Sequence, residues 1–177
     1  MENLSFICDA ISKKSGQPFK LTNKSSLSGG CINQCFHLEG HNSSSFFLKQ
    51  NSKSFLPFFE AEALALEEIK NTDSVRVPAV ITFGVTDDSS FLVLEFIPEG
   101  ISNHKGQKEL GKQLANLHKI QKSFFGWKRD NCIGATPQPN PSTQDWVSFY
   151  RDSRLLHQFN LSHKKINESW INDIQQA

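Results

Sequence analysis

Apolar residues recur at helical spacing from the start of the chain. Leu4, Ile7, Cys8 and Ile11 share one face, and Gly16 followed by Pro18 ends the run. The character then turns extended from Phe19 to Gln50. Ile32 to Glu39 predicts one strand, the polar run Gly40–Ser44 a turn, and SFFLKQN (45–51) the next strand, which carries Lys49 near its end. Pro57 suits the first turn of a second helix through FFEAEALALEEIK (58–70). VRVPAVITFG (75–84) and SFLVLEFI (90–97) read as two strands joined by the turn Asp87–Ser90, and Pro98-Glu99-Gly100 breaks the pattern.

Beyond the break, Leu110, Leu114 and Leu117 mark an amphipathic helix, with Gly111 and Ala115 offering a close-packing edge. A loop rich in Gly, Pro and Asn is expected from Phe124 to Thr143, then helical segments around Trp146–Phe159 and Lys165–Gln176. Strands come first and helices later. The expected class is therefore α+β, with a small lobe over residues 1–97 and the start of a helical lobe over 98–177.

Composition narrows the function. The 177 residues include fifteen Phe and 37% hydrophobic positions, enough for a packed core. The net charge of +1, with scattered Lys and Arg, argues against electrostatically driven binding of nucleic acid or membrane. The chain has no apolar run near the roughly 18 residues of a membrane span and no signal-peptide pattern, so a cytoplasmic protein is expected. Four cysteines (Cys8, Cys31, Cys35, Cys132) are too few and too irregular for a disulfide scaffold.

The candidate chemistry begins at SGGCIN (28–33). Gly29 and Gly30 remove the side chains that would hold backbone N–H groups away from a phosphate, yet the same pair also suits a plain hairpin. Lys49 closes an apolar strand, where a lysine commonly snorkels to the surface. Its interest lies in the helix that follows. At about 100° per residue, Glu62 falls about 60° from Phe59, on the inward side, whereas Glu60 falls about 100° away on the solvated flank. A Lys49–Glu62 pair is then the economical way to satisfy both, and kinases use such a pair to hold ATP phosphates. LVLEFIPEG (92–100) suits an edge strand or an interlobe hinge whose backbone at Glu95 and Ile97 reads adenine.

Taken in order, these features match the small lobe of the protein-kinase-like fold, although the glycine loop departs from G-x-G-x-x-G. The sequence resembles the fructosamine/ketosamine-3-kinases, relatives of the aminoglycoside phosphotransferases. The resemblance is carried by SGGCIN (28–33), FFLKQN (46–51), FFEAEALALEEI (58–69), VRVP (75–78) and LVLEFI (92–97). More specific are LGKQLANLHK (110–119), FGWKRDNCIGATPQPN (125–140) and DWVSFYRDSRL (145–155).

The resemblance implies ATP-dependent phosphorylation of the sugar 3-hydroxyl of ketosamines (fructosamine or ribulosamine) on glycated amines or proteins, leading to deglycation. It gives Gly29, Gly30, Cys31, Ile32 and Asn33 the cover over the nucleotide, and Lys49 the phosphates. Glu62 would orient Lys49, and Glu95, Phe96 and Ile97 would form the adenine hinge. The family's His-Gly-Asp catalytic loop and later metal-binding aspartate are absent, so the chain reads as an N-terminal fragment with no catalytic residue and with the Mg²⁺ ligands beyond it. An aminoglycoside phosphotransferase-like kinase and a non-catalytic nucleotide-binding pseudokinase are the alternatives.

Cys31, Cys35, His37 and His41 superficially resemble a zinc set, but on a strand rising about 3.3 Å per residue Cys31 and His37 stand about 20 Å apart, and no metal is expected. Cys8 and Cys35 are expected as small buried residues. Cys31, in an exposed loop of backbone N–H groups, is a redox candidate able to link a homodimer. His118 is expected to be structural. Trp127, Asp130, Asn131 and Trp146 suit either loop ordering or substrate contact.

Overall fold

The computed structural model describes residues 2–28 and 32–162. Two compact units emerge, residues 1–121 and 122–177, and each is described by itself.

The first unit is built on a five-stranded antiparallel sheet: β1 (Leu21–Leu27), β2 (Gln34–Gly40), β3 (Ser45–Ser52), β4 (Val80–Val85) and β5 (Ser89–Glu95), in the order β1-β2-β3-β5-β4. Strand alternation sorts the side chains onto two faces, and each face has its own helix. Helix α1 (Glu2–Ser15) buries Ile7 and Ile11 against Leu38, Leu48, Phe91 and Val93. On the opposite face α2 (Leu56–Lys70), with Pro57 in its first turn, buries Phe59 and Ala63 against Leu92 and Leu94. A sheet covered on both faces explains why β5 reads as an almost unbroken apolar run.

The strand expected over Ile32–Glu39 runs from Gln34 to Gly40, and the one expected to reach Ile97 ends at Glu95. The strand expected from Val75 begins only at Val80, because Pro78 has no N–H and the next N–H, on Ala79, goes to the Glu95 carboxylate at 3.1 Å instead of to a neighbouring strand. The third helix, α3 (His104–His118), is capped by Asn103, whose side chain accepts from the Gly106 N–H. Among the described residues its expected close-packing edge is open: none lies within 4 Å of the place a Cβ would take at Gly111, and Leu110 and Leu114 are exposed.

In the second unit, part of the expected loop is ordered as a hairpin, β6 (Asn131–Ile133) with β7 (Thr136–Gln138), turning through Gly134 at φ 63°. A bridge between Phe125 and Thr143 closes the loop behind it. Helix α4 (Trp146–Tyr150), capped by Asp145, widens to π-type bonding over Arg151–Leu156 and continues as α5 (His157–Ser162). The helix expected over Lys165–Gln176 lies outside the described residues.

Gly126 shows why that loop needs a glycine. Its φ is +106°, and a Cβ there would stand 2.1 Å from the Pro141 carbonyl oxygen. We expect Gly126→Ala to destabilise the second unit by more than the about 1 kcal/mol of an ordinary glycine effect. Differential scanning calorimetry would read this as a lower midpoint; an unchanged midpoint would contradict it.

Candidate functional site

Strand pairing brings the candidate residues onto the face covered by α2. Lys49 on β3 lies opposite Cys35 on β2 and Leu92 on β5, and the next row is His37, Phe47 and Leu94. Rows on one face follow every second residue, about 6.6 Å apart. Lys49 Nζ donates to Glu62 Oε1 at 2.6 Å, with side-chain exposures of 22% and 33%. The helical phase that turns Glu62 inward is set by Phe59, which is fully buried one turn earlier. At this exposure the pair contributes at most about 1 kcal/mol to stability. Its value is positional: Glu62 fixes where the ammonium points while leaving N–H donors for a second anion.

Gly29, Gly30 and Cys31 lie outside the described residues. Ile32 and Asn33 follow directly and are held to the sheet by Asn51, whose Nδ2 donates to the Asn33 side-chain oxygen at 2.7 Å and to the Ile32 carbonyl at 3.1 Å. Sequence reasoning misses Asn51. It stands two residues beyond Lys49 on the same face, so alternation alone points to it.

At the other end, the Glu95 N–H donates to the Ala79 carbonyl at 2.8 Å. The Glu95 side chain is engaged as well, accepting from the Ala79 N–H and, at 2.5 Å, from Arg76 Nη2. These bonds hold its carboxyl below the ordinary carboxylate range, the backbone bond contributing most. With the folded pKa depressed, this stabilisation is present above the ordinary pKa and lost as pH falls through the lowered value. We expect Glu95→Gln to weaken that acid-side loss; unfolding midpoints measured across the acid limb would check it, and identical curves would contradict it. Arg76 leaves no local trace in the sequence. Phe96 stacks on His37, ring centroids 3.7 Å apart and 14° from parallel, and His37 Nε2 lies 2.9 Å from the Ser45 hydroxyl. Ile97 is exposed.

Cys8 and Cys35 are partly rather than fully buried. Burial is the main cause that raises both thiol pKa values; for Cys35, Lys49 opposes it and Glu62 adds to it. Among the described residues no three His, Cys, Asp or Glu side chains gather as metal ligands.

In the second unit Asp130 accepts the Asn140 N–H at 2.7 Å, and Asn131 accepts from Asn140 Nδ2 at 2.9 Å. Arg154 anchors the same segment through the Pro139 carbonyl and Asn140 Oδ1. Trp146 packs among Phe125, Phe149 and Tyr150. Loop ordering therefore engages Asp130, Asn131 and Trp146. His118 is the exposed last residue of α3.

The family profile described as Fructosamine kinase matches residues 4–177. The chain belongs to the fructosamine kinase family. A Synechocystis protein named "Probable ketoamine kinase" is 42% identical over 90% of this chain and 54% of its own length. The rice "Protein-ribulosamine 3-kinase, chloroplastic" is 41% identical over 89% of this chain and 46% of its own. A solved Haemophilus somnus structure described as a "Putative fructosamine-3-kinase" superposes with a TM-score of 0.84 at 26% identity, over 90% of this chain and 54% of that one. The chain spans about half the length of the curated relatives it matches. Membership and superposition give the fructosamine kinase chain the α+β architecture of a partial protein-kinase-like fold.

Proposed function

We propose that this chain is the nucleotide-binding part of an ATP-dependent ketosamine-3-kinase. The observation that carries the reading is the Lys49–Glu62 pair on the α2 face of the sheet. Bound ATP supplies the phosphoryl group. Lys49 neutralises charge on its phosphate oxygens, and Glu62 keeps the ammonium aimed. Gly29, Gly30, Cys31, Ile32 and Asn33 cover the nucleotide, with Asn51 holding the last two in place. The main chain of Glu95, Phe96 and Ile97 receives the adenine edge. The lobe boundary of this reading falls after Ile97, where the chain has left β5, ahead of the division between compact units at residue 121.

The substrate is the sugar 3-hydroxyl of a fructosamine or ribulosamine on a glycated amine or protein. The phosphorylated adduct decomposes and frees the amine. The group that accepts the hydroxyl proton and the carboxylates that hold Mg²⁺ belong to the remainder of a longer protein. That protein works in the cytoplasm without nucleic acid. None of the described helices is long and apolar enough to cross a membrane.

Residues 1–177 alone should bind ATP but show no turnover; measurable ketosamine phosphorylation by them would overturn the division of labour. For Cys31, the full-length protein should lose activity and migrate as a disulfide-linked dimer under oxidant, and recover with reductant. Identical activity and migration in both conditions would contradict this role.

A further inference from the structure

We propose that His37 is a positioning residue that pins the hinge for the nucleotide base, an inference that rests on the nucleotide reading above. The segment leaving β5 is anchored from both faces of the sheet at consecutive residues. On one face the Glu95 carboxylate is bound by the Ala79 N–H and by Arg76. On the other, Phe96 lies flat on the imidazole of His37 at 3.7 Å. That imidazole is itself held: its Nε2 meets the Ser45 hydroxyl at 2.9 Å, and the backbone of His37 is paired within β2, between β1 and β3.

A main-chain edge that reads a base gains affinity when its carbonyl and N–H are already oriented, because ordering them on binding costs entropy. With Glu95 and Phe96 both fastened, those groups belong to the rigid sheet. The first position without regular structure is Phe96 itself, and the chain stays irregular from there to Asn103. Beyond the stack, Pro98-Glu99-Gly100 and the 95%-exposed Ile101 carry no such anchor through the sheet among the described residues. His37 acts through Phe96 and touches no reacting atom.

The test compares wild type, His37→Ala and His37→Phe in the full-length protein, the last keeping a flat ring for Phe96 to stack on. Hydrogen exchange at the Phe96 and Ile97 amides reads the pin without any nucleotide. The KM for ATP and kcat read its consequence. In His37→Ala, exchange at those amides should accelerate and the KM for ATP rise about three- to tenfold, with kcat at saturating ATP changing far less. His37→Phe should recover most of both. Unchanged exchange in His37→Ala would overturn the pin while leaving the nucleotide reading intact. Faster exchange with an unchanged KM for ATP would overturn its role in binding. A wild-type protein that binds no ATP would defeat the nucleotide reading and this role together, whatever the exchange showed.

Discussion

Replacing Lys49 by methionine in the full-length protein should lower ATP-dependent turnover by about 10²- to 10³-fold, the usual loss when one preorganised charge-stabilising donor is removed. Methionine keeps most of the apolar stem but removes the ammonium. Because the Lys49–Glu62 pair is partly exposed, the unfolding free energy should change by no more than about 1 kcal/mol. The two readouts separate two roles. Activity lost with stability kept means that the ammonium acts on substrate charge. Activity lost only in proportion to unfolding would reduce the pair to scaffolding. Glu62→Gln should give a smaller loss of turnover, since it keeps a hydrogen-bond acceptor for Lys49 but removes the charge that aims it.

The second large effect should come from Phe59→Ala. Phe59 is fully buried between α2 and the sheet, against Ala63, Leu92, Leu94 and the edge-on ring of Phe55. Truncating such a side chain costs about 3–5 kcal/mol, part in lost transfer energy and part in the cavity left behind. Against a typical stability of about 5–15 kcal/mol, that consumes much of the margin. The loss should also reach the site, because Phe59 holds the rotation that turns Glu62 toward Lys49. Chemical denaturation should show a lower midpoint, and at temperatures where the variant stays folded its KM for ATP should still exceed that of wild type. Phe59→Leu, which refills most of the cavity, should recover the larger part of both. A variant destabilised by less than about 1 kcal/mol would contradict the packing described.

The parts of this site that are legible in the sequence are those set by short-range periodicity. The inward phase of Glu62 follows from counting along one helix, and the position of Lys49 follows from one strand. Contacts made across the sheet are not legible in this way. His37 meets Phe96, and Glu95 meets Arg76, only because β2, β3 and β5 pair in one register and the approach to β4 passes beside the end of β5. Register is fixed by the packing of a whole face, and no short window of residues contains it. The hairpin β6–β7 escapes for a different reason. Its three-residue strands are too short to display alternation, and Pro137 reads as a strand breaker although it sits on an edge. The π-type widening after Tyr150 has no counterpart in the apolar spacing.

The proposed phosphoryl transfer from ATP to the 3-hydroxyl of a ketosamine can be followed by ³¹P NMR, with the full-length protein incubated with Mg²⁺-ATP and, separately, a fructosamine, a ribulosamine and an aminoglycoside. A sugar 3-phosphate signal should arise from a ketosamine, formed in step with ADP and then decaying as free amine appears. Phosphate transfer to the aminoglycoside alone, or no ATP-dependent transfer to either ketosamine, would contradict it.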